Sequence, residues 1–356
     1  MKRYLCLLLC GILCVMGAIG APALSSSAAP AILRTFDSNP TLGSEWTVLP
    51  QVLGGDSGAA AYGNTYYTNL LRAVADTSLY PNLPKIDRNK SSENSRVVLT
   101  LAALGKDARD VGGWNLVAPL LDAAYVKRQG VNGSIYALLA LKAGNYTAPD
   151  GYLDSILSDI LGAQLSGGGW ALSGSATDPD VTAMALQALA LYYDRAAVQT
   201  AIADGLTALS AIQDADGGIS AWGNPNCESA AQAVIALCAN AVNPLTDSRF
   251  IKNGRTLLDA MDSFAVSSGY AHLTGGERDL FATQQAVLAA VALDRFRSGG
   301  GSIWRQYADF SGAADTPADP DNPPQENTVY IPGTHYEATF WNWVLYIVFF
   351  GWLWMK

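Results

Sequence analysis

Two carboxylates stand two residues apart, Asp178 and Asp180, at the start of an Ala-rich apolar run, PDVTAMALQALA. An acidic group in that place satisfies the free amides of a helix N-terminus and suits the positive end of the helix dipole. Placed at the opening of a cavity, the same group contacts a ligand. Glu228 and Asn132 occupy the place of Asp180 in two neighbouring runs, ESAAQAVIALC and NGSIYALLALK, while Gln232 and Gln285 share a frame position with Met184. If these runs are inner helices of one assembly, their first turns set Arg96, Asn132, Tyr136, Asp180, Glu228, Gln232 and Gln285 around one opening. That mixture suits hydrogen bonding to a neutral polar ligand. The two glutamines can instead pair with each other as buried amides. The histidines are His272 and His335, and no Cys or His has zinc-ligand spacing, so no metal site is expected.

The elements that must position these residues repeat. Gln164-x-x-x-Gly168-Gly169-Trp170 recurs as Gln213-x-x-x-Gly217-Gly218-Ile219, and a weaker third copy has Phe264, Ser268-Gly269 and Tyr270. The runs that follow, from Asp180, Glu228 and Phe281, align as well, and SRVVLTLAALG from Ser95 fits the same frame. A period of roughly 50 residues marks a repeat architecture. Gln164, Gly168, Trp170, Gln213 and Gly217 are therefore expected to be structural: the amide bonds to the turn, the glycine ends the helix and the indole packs between hairpins.

Ten helices are expected, at 66–77, 94–105, 115–126, 132–143, 151–165, 179–193, 195–214, 226–241, 245–265 and 279–297, with few strands. Those at 94, 132, 179, 226 and 279 are Ala-rich and apolar nearly all round, as in helices buried on both sides, whereas those at 151, 195 and 245 carry charge on one face. Alternation of the two kinds describes an all-α protein of two concentric layers, about five to six helical hairpins, with inner Ala-rich helices surrounded by outer amphipathic ones.

The Gln-x3-Gly-x-Trp joint and DPDVTAMALQAL resemble the repeats of squalene and terpenoid cyclases, protein prenyltransferases and cobalamin carriers, which share an α/α toroid. Across about residues 40–300 the chain is more closely similar to exported bacterial surface proteins with prenyltransferase/squalene-oxidase repeats. The cyclase resemblance implies that Asp180, with Asp178 beside it, protonates an alkene, but Val181 stands where the cyclase motif has a further Asp, which puts the tuning of that acid in doubt. Cyclase cavities are also lined by aromatic rings, and Tyr136 is the main early one here. Prenyl transfer needs an Asp, Cys and His on zinc, and Cys227 has no such His partner. The cobalamin carriers add a small β-rich domain for which this sequence shows no counterpart, so a corrinoid enters by analogy only, and no cofactor is expected.

Residues 1–25 read as a signal peptide, with Met1-Lys2-Arg3 before an apolar run and small residues at Ala18 to Ala23. Residues 26–65 read as an irregular lead-in, 66–300 as the toroid, 301–339 as an acidic Pro-rich spacer, and 340–356, FWNWVLYIVFFGWLWMK, as a C-terminal membrane anchor. Export leaves Cys227 and Cys238, about 16 Å apart along one helix and too far for a disulfide. A net charge of −9 excludes a phosphate-neutralising nucleic-acid surface. The expectation is an exported toroid tethered at the outer face of the membrane or the cell surface, binding a small molecule in its centre or serving as a surface module without catalysis; the alternative is a terpene-cyclase-like enzyme.

Overall fold

The computed structural model describes residues 29–311; the expected signal peptide, most of the spacer and the anchor lie outside them. Eleven α-helices are described: α1 Glu45–Gly54, α2 Ala59–Ala75, α3 Ser91–Ala103, α4 Ala123–Lys127, α5 Gly130–Ala143, α6 Tyr152–Gly162, α7 Pro179–Leu189, α8 Ala196–Ala211, α9 Cys227–Ala239, α10 Leu257–Asp262 and α11 Leu280–Arg297. Helix α1 packs on α3, α3 on α5, α5 on α7, α7 on α9, α9 on α11, and α11 back on α1. Six inner helices thus close a ring, and α2, α4, α6, α8 and α10 pack outside it.

The hydrophobic patterns explain the two layers. Every residue of α7 is buried, and α9 is buried from Cys227 to Cys238, as an all-round apolar helix requires. In α8 only a stripe is buried, including Val198, Ala201, Ile202, Leu206 and Leu209, at helical spacing. Among the described residues no helix is long and apolar enough to cross a membrane.

The joints between hairpins are built from the repeated residues. Gln164 Nε2 donates to Gly168 O at 2.7 Å and to Ala201 O at 2.9 Å. Gln213 Nε2 does the same to Gly217 O and Phe250 O, at 2.8 and 3.1 Å. Each amide therefore ties its own turn to the next outer segment. Gly168 and Gly217 have φ of 87° and 89°, and a Cβ on either would stand 2.7 Å from a backbone oxygen, of Asp204 and Thr256 respectively. Trp170 is fully buried, and its Nε1 donates to Ile160 O at 2.7 Å. Two threonines complete the joints: Trp170 N donates to Thr182 Oγ1 at 2.8 Å, and Tyr270 N to Thr283 Oγ1 at 2.9 Å. Gln164→Ala is expected to cost about 1–3 kcal/mol, because two carbonyls lose their donor; urea unfolding measures it.

Four sequence expectations are corrected. The lead-in at 26–65 is not irregular: it holds α1, the sixth inner helix, and the start of α2. Helix α1 is short and carries Pro50 inside, which hides its period. The helix expected at 115–126 splits at Pro119 into a 3-10 turn, Ala118–Leu121, and α4, capped by Asp122. The one expected at 245–265 shrinks to α10, because Asn253-Gly254 forms a two-residue turn closed by Lys252 and Arg255, and Thr256 and Asp259 then form a capping box.

The fourth concerns the spacer, whose first residues are packed. Ile303 and Trp304 are buried, and Tyr307 N and Phe310 N donate to Ala143 O and Gly144 O at 2.8 and 2.9 Å. The Phe310 ring stacks on Tyr146 at 5.4 Å. This strap runs from α11 to the C-terminal end of α5, crossing that end of the ring.

Candidate functional site

The opposite end of the ring, where the inner helices begin, gathers the titratable groups. Asp178, Asn226 and Asp279 are the true N-caps of α7, α9 and α11, accepting from Val181 N, Ser229 N and Ala282 N. Asp180 and Glu228 are therefore not caps, as their position in the repeat led one to expect, but lie two residues inside their helices, and Asn132 lies within the first turn of α5. Pro179 at the first helical position fits a cap at Asp178.

Free of capping, Asp180 takes its surroundings from both neighbouring inner helices. Burial, then the charge of Asp178, pushes its carboxyl up to about 7; the Ser229 hydroxyl and His272 pull it down, and Glu228 pushes it further up. Tyr136 on α5 is raised well above the usual phenol value by burial and then by the charge of Asp180. Groups on α5 and α9, the two neighbouring inner helices, thus share an electrostatic environment with buried Asp180.

Glu228 is coupled to a residue outside the helices. His272 follows the short strand Gly269–Ala271, and its Nδ1 lies 2.8 Å from Glu228 Oε2. The His272 carbonyl in turn accepts from Cys227 N at 3.1 Å, which holds that segment on the start of α9. Burial raises the Glu228 carboxyl, and the His272 hydrogen bond and charge oppose the rise. Burial lowers the imidazole, but the bond to Glu228 together with the charges of Glu228, Asp279 and Asp180 leaves it raised. Asn132 Oδ1, Asp180 Oδ1 and Glu228 Oε1 are buried without a hydrogen-bond partner among the described residues.

The other expected ligand groups are placed differently. Arg96 binds Glu45 at 3.1 Å and Glu93 at 2.5 Å, joining α1 to α3. Gln232 and Gln285 lie a turn deeper and pair: Gln232 Nε2 donates to Gln285 Oε1, and Gln187 Nε2 donates to Gln232 Oε1 at 2.7 Å. Trp304 of the strap donates to Gln187 Oε1 at 2.6 Å, completing a buried chain. Beside it Tyr136 OH donates to Met184 Sδ at 3.1 Å, and the Tyr136 ring meets Trp46 edge-on at 6.0 Å. The site is thus layered: carboxylates and imidazole at the mouth, then amides, sulfur and phenol, then the strap.

His272, Ser229 and Gln187 are the members that sequence reasoning missed. Gln187 alone carried a usable signal, an amide in an otherwise apolar inner run. Among the described residues no cluster of three or more His, Cys, Asp or Glu could hold a metal ion.

No protein-family model matches the chain, and no curated protein does. Solved structures do. A variant of the type II terpene cyclase MstE from Scytonema, in complex with geranylgeranyl dihydroxybenzoate, superposes with a TM-score of 0.51 at 14% identity, over 77% of this chain and 98% of that one. A second MstE variant, without substrate, gives 0.50 at 14% identity, over 71% and 87%. The unsaturated glucuronyl hydrolase of Bacillus sp. GL1, responsible for the degradation of glycosaminoglycan, gives 0.52 at 12% identity, over 79% and 97%. At these identities the likeness is one of fold. The chain is an α/α toroid, the fold it shares with type II terpene cyclases and unsaturated glucuronyl hydrolase.

Proposed function

We propose that the mouth of the ring binds a small, uncharged, polar molecule rich in hydrogen-bond donors, and holds it without chemical change. One observation carries this reading: three buried acceptors without partners among the described residues, Asn132 Oδ1, Asp180 Oδ1 and Glu228 Oε1, sit in the first turns of three successive inner helices. A buried acceptor without a donor costs about 1–3 kcal/mol, so a ligand presenting hydroxyl or amide hydrogens to these oxygens binds favourably. The mouth is predominantly polar, which argues against a hydrocarbon ligand. A corrinoid is a candidate on fold analogy alone.

A second reading is favoured by one specific feature. A carboxyl at about 7 still holds its proton near neutrality, the state a general acid needs. Asp180 would then protonate a substrate, with burial and then the charge of Asp178 keeping it protonated, in a terpene-cyclase-like reaction. The absence of a carboxylate at Val181 and the small number of rings, Tyr136 and Trp46, weigh against it.

The test is to incubate the full chain with cyanocobalamin, a neutral oligosaccharide mixture and geranylgeranyl dihydroxybenzoate, then identify by mass spectrometry what is retained or converted. A compound retained unchanged, and lost in both Asn132→Ala and Glu228→Gln, supports binding. Conversion abolished by Asp180→Asn supports the acid. If nothing is retained or converted, both readings fall.

Residues 1–25 and 340–356 are the basis for placing this mouth outside the cell, on a membrane-tethered protein. Protein purified from its host is expected to begin between Ala18 and about residue 26. An N-terminus intact at Met1 overturns export by cleavage.

A further inference from the structure

Outside the mouth, one turn of the chain breaks a rule that the chain keeps elsewhere. Among the described residues, three two-residue turns join paired residues with both central residues at positive φ. Val111 and Trp114 are joined by Gly112-Gly113, Lys252 and Arg255 by Asn253-Gly254, and Ala221 and Asn224 by Trp222-Gly223. Such turns favour Asn or Gly at the first position, because a Cβ is strained there and a bulky side chain most of all. Only the third has tryptophan, at φ 55°. Its side chain does not repay the strain by packing, since Trp222 is 67% exposed.

Beside this turn lies a cleft of about 270 Å³. Asn224, the partner of Ala221 at the foot of the turn, lines it together with Asp216, Thr274, Phe264 and Leu273. One Asp216 oxygen accepts from Gly218 N. Asp216, Asn224 and Thr274 are exposed, so their polar groups are open to solvent. Phe264 and Leu273 add an apolar wall. The cleft therefore combines a carboxylate, an amide and a hydroxyl with hydrocarbon, and Trp222 stands in the two-residue turn that ends at Asn224.

We infer that this cleft, with Trp222 as a stacking platform, is a binding subsite for a neutral saccharide ring, distinct from the mouth. A sugar ring has the matching character: its hydroxyls point outward as donors and acceptors, while its C–H face is apolar and packs on an aromatic plane. Asp216 and Asn224 receive and donate to neighbouring hydroxyls, and the strain at Trp222 is the cost of presenting the indole to solvent. Leu273 and Thr274 follow His272 directly, so the cleft adjoins the mouth along the chain. The inference does not rest on the function proposed for the mouth.

Isothermal titration of the full chain with cellohexaose, maltohexaose and N-acetylchitohexaose tests it, using Trp222→Asn, Asp216→Asn and Asp180→Asn. Asparagine fits the positive φ, so Trp222→Asn is expected to keep or raise Tm, by about 2 °C. Binding of at least one hexasaccharide by the wild type, weakened tenfold or more in Trp222→Asn and Asp216→Asn, is the expected result. Failure of all three to bind overturns the assignment to saccharide. Equal binding by Trp222→Asn overturns the platform, and loss in Asp180→Asn moves the ligand to the mouth. These outcomes are independent of whether the mouth retains a corrinoid or converts a terpenoid.

Discussion

Asp180→Asn is expected to raise Tm at pH 8 by on the order of 10 °C and to leave it nearly unchanged at pH 4. The reason is linkage. Burial and the charge of Asp178 hold the folded carboxyl at about 7, against an ordinary 3.8. The folded state therefore binds the proton more tightly than the unfolded chain does. Wild-type stability then falls as pH rises from about 4 to about 7 and levels off above. Below pH 4 both states are protonated and the group contributes nothing. Fully ionised, Asp180 costs the folded state roughly 4 kcal/mol, and each kcal/mol moves Tm by about 2–4 °C in a domain of this size. Asparagine keeps the shape and removes the charge. Thermal melts of both proteins from pH 4 to 8 read the difference, and parallel curves would mean that Asp180 is an ordinary solvated carboxylate.

Trp304→Ala is expected to cost about 3–5 kcal/mol, a fall in Tm of on the order of 10 °C. Trp304 is nearly fully buried, and its indole is the donor at the end of the Gln187, Gln232 and Gln285 chain. Removing it leaves a cavity at the strap end of the ring and Gln187 Oε1 without its donor, and a half-satisfied buried network costs more than an apolar one. Trp304→Phe separates the two effects, because it keeps most of the volume and loses only the hydrogen bond; its cost should be nearer 1–3 kcal/mol. Urea unfolding of both variants measures this, and a cost below 1 kcal/mol for alanine would show that the strap does not hold the ring.

The joints were readable in the sequence because each depends on a residue at a fixed offset. Gln164 and Gln213 reach their turns four residues on, so the pattern and the hydrogen bond coincide. The inner helices from α3 onward were readable because burial on all sides leaves an uncharged run. Helix α1 was hidden: ten residues with an internal Pro50 show no period, and its Glu45 looks like a surface charge although it binds Arg96 inside the ring. The strap was hidden too, because Gly299 to Ser302 reads as the start of a linker and only the fold brings Ile303 and Trp304 under the ring.

The mouth was half readable. Asp180, Glu228 and Asn132 stand out as polar groups opening apolar runs, but the caps lie two residues earlier, at Asp178 and Asn226, which leaves Asp180 and Glu228 without a capping role. His272 could not be found by periodicity, since it follows a three-residue strand and reaches Glu228 only through the hairpin that docks on α9. Gln232 and Gln285 were correctly seen to share a direction, yet shared direction on neighbouring helices allows pairing as readily as ligand contact, and they pair.

The most direct measurement is a 13C NMR titration of the Asp180 carboxyl, assigned by its loss in Asp180→Asn and followed from pH 4 to 9. A midpoint near 7 that falls when Asp178 is replaced by asparagine is the expected result. A midpoint below 5, unmoved by that replacement, would contradict a buried, protonated acid at the mouth of the ring.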